Sequence, residues 1–270
     1  MKFKKFISAV FVLTMALALG ACQQVKTSSK TMGSPELPEL KIGVTMLNPF
    51  FYVDENGDYS GIDAEIAAEA CSRAGYQPAF IEISWSDRDE SLQDNNVDCL
   101  WSAFVKNGRE DSYLWTDTYM QSNLRAITDL RSPDHDLSTI KGHGGMAVRA
   151  GSKLENILLN SPELPTLQVY SCGTFEMAET AFVKGFAGAL GGHELVLQQV
   201  INTYPDLYRF LDGTILTADL GVAFRKDSTS ESYQKINDAL DAMKEDGTIE
   251  KILEKYNTGT SAAAEVPAHV

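Results

Sequence analysis

Several residue patterns that would mark an enzyme or a metalloprotein are absent from this sequence of 270 residues. The four histidines and four cysteines do not fall at spacings that fit a zinc site, and no Gly-x-Ser-x-Gly motif of a serine hydrolase occurs. No short-period repeat is visible, which excludes solenoid folds. We therefore expect no metal, no cofactor and no catalytic residue.

Positive charge is also scarce. The sequence has 23 Lys and Arg residues against 37 Asp and Glu residues, for a formal net charge of −14. Loss of the three lysines in the first five residues would bring the charge to about −17. Such acidity argues against binding to nucleic acid and against adhesion to anionic lipid, but it says nothing about a small ligand.

Only one long apolar run occurs, at residues 6–19, directly after those lysines. It is too short to span a bilayer comfortably and is typical of the apolar region of a signal peptide. The run ends at Gly20-Ala21-Cys22, which resembles the lipobox of bacterial lipoproteins. That resemblance implies cleavage before Cys22 and acylation of this residue with chains such as palmitate. The alternative is an ordinary signal peptide with an incidental cysteine.

The composition then divides the chain into segments. We predict a signal peptide at 1–22, a flexible tether at 23–39, a folded part that ends near residue 257, and a disordered tail at 258–270, which is small, polar and Ala-rich. The folded part of about 215 residues suffices for one large domain or for two lobes. No second long apolar run occurs, so we expect no transmembrane helix there.

Three cysteines remain in the folded part, namely Cys71, Cys99 and Cys172. An odd number leaves at least one thiol free or paired between chains. All three lie in apolar segments, which favours buried free thiols. A disulfide between Cys71 and Cys99 stays open as the alternative outside the cytoplasm.

Apolar periodicity predicts strands and helices in alternation. The predicted strands are 40–44, 79–83, 97–104, 145–149, 167–170, 186–190 and 220–224, and the predicted helices are 62–74, 152–159, 175–183, 194–203, one capped by Ser228 and Glu231, and 248–255. This order is typical of two α/β units with parallel sheets. Such units bind ligands in the cleft at the carboxyl ends of their strands.

Four segments together carry a resemblance to a known family. They are Ile42-Gly43-Val44 with Pro49-Phe50, Asp54-Glu55-Asn56-Gly57 and Gly61-Ile62-Asp63; Leu92-Gln93 with Val97-Asp98-Cys99-Leu100-Trp101; Gly108-Arg109-Glu110 with Trp115-Thr116-Asp117-Thr118-Tyr119; and Gly221-Val222-Ala223-Phe224-Arg225-Lys226 with Asp246-Gly247-Thr248-Ile249 and Lys251-Ile252-Leu253-Glu254-Lys255-Tyr256. In this order they resemble solute-binding protein family 3, the polar amino acid receptors of ABC transporters.

The resemblance implies a type II periplasmic-binding-protein fold, in which two α/β lobes are joined by two crossover strands. Lobe 1 would comprise residues 40–127 and 220–257, and lobe 2 residues 128–219. The lobes would close on the ligand as hinged jaws.

The resemblance also implies a ligand site. Arg109 matches the family arginine that clamps a ligand carboxylate, for which its planar fork is suited. Ser152 would hold the same group at a helix N-terminus, although it is also a plain N-cap residue. Trp85 would form a wall of the site, and Ser102 and Phe104 would face the cleft.

One position departs from the family pattern. Amino acid receptors of this family carry an aspartate at His193 that pairs with the ligand ammonium. Glu194, the next residue, is a candidate replacement after a slip of one position. The change puts a standard α-amino acid in doubt, and we place His193 in the ligand site.

We therefore expect an extracytoplasmic, lipid-anchored, monomeric binding protein that delivers an amino acid or related carboxylate to an ABC permease. Two alternatives are a cyclohexadienyl-dehydratase-like enzyme, which the resemblance also allows, and a ligand-sensing partner of a membrane receptor.

Overall fold

The computed structural model describes residues 37–140, 144–160 and 167–256. The predicted signal peptide with Cys22, most of the predicted tether and the predicted tail lie outside these ranges. None of the helices in the described ranges has both the length and the hydropathy needed to cross a bilayer.

Strands and helices alternate along the chain. In order they are β1 (Glu39–Val44), β2 (Tyr52–Val53), β3 (Tyr59–Ser60), α1 (Ile62–Ala74), β4 (Gln77–Glu82), α2 (Arg88–Gln93), β5 (Cys99–Leu100), β6 (Leu114–Trp115), β7 (Met120–Asp129), β8 (Met146–Arg149), α3 (Lys153–Asn160), β9 (Val169–Cys172), α4 (Phe175–Val183), β10 (Ala189–His193), α5 (Glu194–Thr203), β11 (Tyr208–Phe210), β12 (Leu216–Leu220), β13 (Ala223–Phe224), α6 (Glu231–Glu245) and α7 (Thr248–Tyr256). A short 3₁₀ helix, Trp85–Asp87, precedes α2.

The first sheet has the strand order β4-β1-β5-β13-β6. Strands β4, β1 and β5 are parallel, whereas β13 runs antiparallel to β5 and to β6. We call this sheet and the residues packed on it lobe 1. Strands β2 and β3 form a separate hairpin, whose turn includes Gly57 at a φ of 89°.

The second sheet has the order β11-β7-β10-β8-β9, and β12 also pairs with β7. Strands β10, β8 and β9 are parallel, and the long strand β7 runs antiparallel to β10 on one side and to β11 and β12 on the other. We call this sheet and its helices lobe 2. The two sheets are therefore mixed, where the sequence predicted parallel sheets.

Two chain segments pass between the lobes side by side. One leads from β6 to β7 and the other from β12 to β13. They are hydrogen-bonded to each other, because Thr116 N donates to Val222 O (3.0 Å) and Tyr119 N donates to Leu220 O (3.0 Å). Residues 120–127 belong to the second sheet, so the predicted lobe boundary after residue 127 lies too late in the chain.

Local sequence signals account for several elements. Helix α1 buries Ile62, Ile66 and Ala70 on one face and ends at Gly75, which adopts the left-handed conformation at a φ of 77°. Helices α4 and α5 have the predicted limits. Helix α6 begins after Ser230, whose side chain accepts a bond from Ser232 N, so the predicted capping box from Ser228 was wrong.

The predicted strand 97–104 is largely replaced by a loop. Only Cys99–Leu100 pairs as a strand, and Ala103 has a φ of 47°. Cys71 and Cys99 are buried and Cys172 is half-buried, and all three are free thiols. Burial raises the pKa of the Cys71 thiol to about 12, which makes it unreactive at neutral pH.

Candidate functional site

A partly open cavity lies between the two lobes and is lined by residues of both. Lobe 1 contributes loop residues that follow its strands, and lobe 2 contributes the carboxyl ends of β8 and β10 and the helices that follow them. The lining residues are Leu47, Trp85, Ala103, Val105, Arg109, Leu124, Arg149, Ser152, Lys153, Leu154, Phe175, Gly191, Gly192, His193 and Val196. Four of the six predicted ligand residues, Trp85, Arg109, Ser152 and His193, are among them.

Arg109 joins the two lobes at this cavity. Its Nη1 donates to Val105 O (3.1 Å) in lobe 1, and its Nη2 donates to Gly151 O (2.9 Å) in lobe 2. A guanidinium has five N–H groups, so three remain for a ligand. Burial lowers the pKa of Arg109, and nearby Arg88 lowers it further, but the group stays charged at physiological pH. Among the described residues, no carboxylate forms an ion pair with it.

Trp85 forms one wall of the cavity and is 9% exposed. The guanidinium carbons of Arg88 and Arg149 lie over its ring at 4.8 and 4.2 Å from the centroid. Its edge packs on Phe104 at 5.0 Å between ring centroids. Its Nε1 is buried and has no hydrogen-bond partner among the described residues, so it is a donor available in the wall.

Ser152 caps helix α3, since Glu155 N donates to its Oγ (3.1 Å). In return Gly151 N donates to Glu155 Oε2 (2.6 Å). The arrangement differs from a capping box in that Glu155 accepts from Gly151, the residue before the cap, while Ser152 N donates to Arg149 O. It leaves the hydroxyl hydrogen of Ser152 for another acceptor. The capping role and the predicted contact with a ligand are therefore compatible.

His193 ends β10 and is buried. Its Nδ1 shares a hydrogen bond with Ser122 Oγ (2.9 Å), and its ring packs edge-on against Phe50 at 5.3 Å. Burial lowers the pKa of His193 to about 3, and the charge of Arg149 acts in the same direction. The imidazole is therefore neutral at physiological pH.

Two predicted site residues do not line the cavity, and the expectation for them is corrected. Ser102 Oγ donates to Thr45 O (2.7 Å) and also lies 3.0 Å from Thr45 Oγ1. Phe104 is fully buried in an aromatic cluster with Tyr113 and Trp115, at 5.2 and 4.9 Å between ring centroids. Both residues support the site from beneath, because Thr45 contacts Arg149 and Phe104 underlies Trp85 and Arg109.

The side chain of Asp63 fixes the chain where it leaves the first sheet at residue 101 and turns toward the cavity. Its buried carboxylate accepts bonds from Ala103 N (2.5 Å) and Tyr119 OH (2.7 Å). Burial raises the pKa of Asp63 to about 6. The carboxylate at the start of α1 thus holds both the loop that supplies Val105 and Arg109 and a segment that passes between the lobes.

Glu194 does not take the place of the missing aspartate. Its Oε1 accepts from Arg125 Nη1 (2.6 Å) and its Oε2 accepts from Asn123 Nδ2 (3.0 Å). Its side chain is absent from the cavity lining. The sequence left open that Glu194 replaces the family aspartate from the next position. The structure does not support this alternative, because Glu194 is directed away from the cavity and toward Arg125.

Sequence reasoning missed Arg149, Lys153 and Phe175. Arg149 lies at the carboxyl end of the predicted strand 145–149, where α/β sheets place ligand residues, and that position was the available signal. Its Nη1 donates to Thr45 Oγ1 across the cleft at 3.5 Å. In the described ranges, no group of three or more His, Cys, Asp or Glu side chains is placed to hold a metal ion.

The profile of the bacterial extracellular solute-binding proteins, family 3, matches residues 40–259. The L-cystine-binding protein TcyA of Bacillus subtilis is 26% identical over 94% of this chain and 97% of its own length. The lysine/arginine/ornithine-binding periplasmic protein of Escherichia coli is 27% identical over 89% of this chain and 95% of its own length.

Solved structures agree with this match at the level of the fold. A substrate-binding protein of an ABC uptake transporter from Streptococcus pneumoniae, solved with bound histidine, has a TM-score of 0.75 at 18% identity, over 84% of this chain and 95% of its own. An ancestral arginine-binding protein bound to glutamine has a TM-score of 0.73 at 23% identity, over 82% of this chain and 98% of its own. The fold is the type II periplasmic-binding-protein fold.

Proposed function

We propose a transport role on the premise that this chain belongs to the bacterial extracellular solute-binding proteins, family 3, whose profile matches residues 40–259. The chain is a solute-binding protein of extracytoplasmic type and not an enzyme, because its named relatives are binding proteins. The dehydratase alternative has no support among them.

The ligand of this proposal is a small carboxylate-bearing solute of the size of an amino acid. The observation that carries it is the half-buried guanidinium of Arg109, which lines the cavity between the lobes with three N–H groups that donate to no described residue and with no ion pair among the described residues. A partly desolvated cation of this kind is stabilised by an anionic partner. Ser152 and Trp85 supply the hydroxyl and the aromatic wall beside it.

The relatives support the same ligand size. Their names specify L-cystine in one case and lysine, arginine and ornithine in another, all of them amino acids. In this proposal the lobes close on the solute about the two segments between β6 and β7 and between β12 and β13, and the closed monomer presents it to an ABC permease.

Membrane attachment through Cys22 is the second part of the proposal. The residue lies outside the described ranges, and the support is the order of lysines, apolar run, small residues and cysteine. Two or more acyl chains would anchor the protein stably at the outer face of the cell membrane.

A binding screen tests the ligand class. The protein is unfolded in guanidinium to strip retained solute, refolded, and mixed with common amino acids and small carboxylates. A solute at about 100 times its Kd should stabilise the fold by about 2.7 kcal/mol, a shift in Tm of roughly 5–10 °C. No shift with any carboxylate would overturn the proposal.

Uptake measurements separate transport from sensing. Cells that lack this chain should take up the radiolabelled ligand much more slowly than the parent strain. Unchanged uptake together with a lost cellular response to the ligand would favour the ligand-sensing alternative.

A further inference from the structure

We propose that the ligand is a small organic acid with an apolar body and no ammonium group, held jointly by Arg109 and Arg149. This inference rests on the proposed function and narrows its ligand class. It follows from the charges that line the cavity, which are all positive among the described residues: Arg109, Arg149 and Lys153.

Arg149 is unusual among the cavity-lining residues because it is a cation whose side chain is buried. It is 8% exposed, and its hydrogen bond is the long one to Thr45 Oγ1 at 3.5 Å. No carboxylate within the described ranges forms an ion pair with it. Burial lowers its pKa to about 10, Glu176 partly opposes this, and Arg88 and Arg109 add to it. A buried guanidinium without a carboxylate partner is stabilised when an anion binds beside it.

Among the described residues, no carboxylate lines the cavity. Glu194 pairs with Arg125. Glu155 caps α3. Glu82 and Glu176 line an adjoining open groove that shares Trp85, Arg149 and Phe175 with the cavity, but they do not line the cavity itself. An ammonium group in the cavity would therefore lack a carboxylate partner.

Electrostatics then disfavour an α-amino acid. An ammonium taken out of water beside Arg149 and Arg109 loses its hydration and is repelled by both guanidinium groups. His193 supplies no negative charge to offset this, because its imidazole is neutral. A group without charge at the same point, such as a ketone, avoids both costs, and the carboxylate still gains both arginines.

The remaining walls indicate an apolar body. Leu47, Val105 and Leu124 line the cavity together with Leu154 and Val196. Apolar surface buried there contributes roughly 25 cal/mol per Å² to binding before the costs of association. A branched or aromatic carbon chain thus fits better than a polar one.

Calorimetry on the refolded protein tests this with matched pairs of 2-oxo acid and amino acid. The pairs are pyruvate and alanine, 3-methyl-2-oxobutanoate and valine, 4-methyl-2-oxopentanoate and leucine, phenylpyruvate and phenylalanine, and 2-oxoglutarate and glutamate. The best oxo acid should bind at least about tenfold more tightly than its amino acid partner. Tighter binding of the amino acid in the best pair would overturn this inference and leave the proposed function intact. No binding in any pair would also overturn this inference, whereas the proposed function is overturned only if the wider screen of amino acids and carboxylates gives no shift either.

Two substitutions give an independent test. His193→Asp supplies a carboxylate beside Arg149 and should move the preference toward the amino acid, whereas His193→Asn should not. Arg149→Gln should weaken oxo acid binding about 10- to 100-fold, while Arg131→Gln, at a side chain that is 86% exposed, should leave it unchanged. Oxo acid binding that is unaffected by Arg149→Gln would remove Arg149 from the site.

Discussion

The guanidinium carbon of Arg149 lies 4.2 Å from the centre of the Trp85 ring, so a cation of lobe 2 stacks on an aromatic residue of lobe 1. Arg109 makes the opposite connection, because it extends from lobe 1 and donates to Gly151 O in lobe 2. These two contacts across the cleft therefore both involve cationic side chains. In the proposed complex, the bound anion contacts both arginines and so links the two lobes.

Removal of the Arg109 guanidinium should abolish tight binding. Arg109→Ala should cost about 2–5 kcal/mol, or roughly 30- to several-thousand-fold in affinity, because the ligand carboxylate loses a desolvated partner. Arg109→Lys should also bind poorly, since an ammonium cannot reproduce the planar fork. Calorimetry measures both, with Arg131→Ala as the control at an exposed arginine. Wild-type affinity in Arg109→Ala would remove this residue from the site.

Replacement of Glu194 should affect stability and not binding. Glu194→Gln leaves Arg125, whose side chain is 21% exposed, without its anionic partner. We expect a loss of about 1–3 kcal/mol in the free energy of unfolding, measured by denaturant titration. Glu231→Gln breaks an exposed pair with Lys235 and should cost no more than about 0.5 kcal/mol. A loss of affinity without a loss of stability would mean that Glu194 contacts the ligand.

Titration of His193 should make the protein less stable in acid. Its pKa is about 3 in the folded state against 6.5 for the free side chain. The stability that the neutral ring contributes is therefore complete above pH 6.5 and is lost as the pH falls toward 3. Relative to His193→Gln, the wild type should lose up to about 1.4 kcal/mol per pH unit between pH 6 and 4.

The comparison with the variant isolates this effect. The raised pKa of Asp63, about 6, acts in the opposite direction, because its contribution is present at low pH and is lost as the pH rises toward 6. Both proteins share Asp63, so its effect cancels in the difference. Parallel stability curves for the two proteins would show that His193 is not buried as a neutral group.

The proposed anchor predicts a change of location on mutation. Cys22→Ala should move the protein from the membrane fraction to the soluble extracytoplasmic fraction with an unchanged Tm, because the sequence places the residue outside the predicted folded part. Cys172→Ala serves as the control and should stay with the membrane. Retention of Cys22→Ala in the membrane would contradict the lipobox interpretation.

Elements with a strong local signal were predictable from the sequence. Helix α1 has an apolar face and a stop at Gly75, and α4 and α5 follow the same pattern. The resemblance also led to the type II fold and, for four of the six residues, to the cavity between the lobes. These correct predictions depend on apolar periodicity, on the residues that begin and end helices, and on family motifs. Each of these signals lies in residues that are close together in the sequence.

Strand β7 was missed because a polar residue points inward. Its buried positions alternate from Met120 onward, but one of them is Ser122, which is buried because it bonds to His193 of β10, 71 residues further along the chain. The predicted strand 97–104 failed for a similar reason, since Asp63 draws Ala103 N out of the sheet. In both cases the outcome depends on a hydrogen bond to a residue far away in the sequence, which the local pattern does not contain.

The sequence alone thus determined the family, the order of most elements and the choice of Arg109 as a residue that lines the cavity. Only the tertiary structure decided the charge of the site. It directed Glu194 toward Arg125, engaged Ser102 with Thr45, and brought Arg149 from the end of β8 into the cavity beside a neutral His193. Charges in a cleft depend on which side chains converge there from separate strands, and that convergence is set by sheet packing rather than by spacing along the chain.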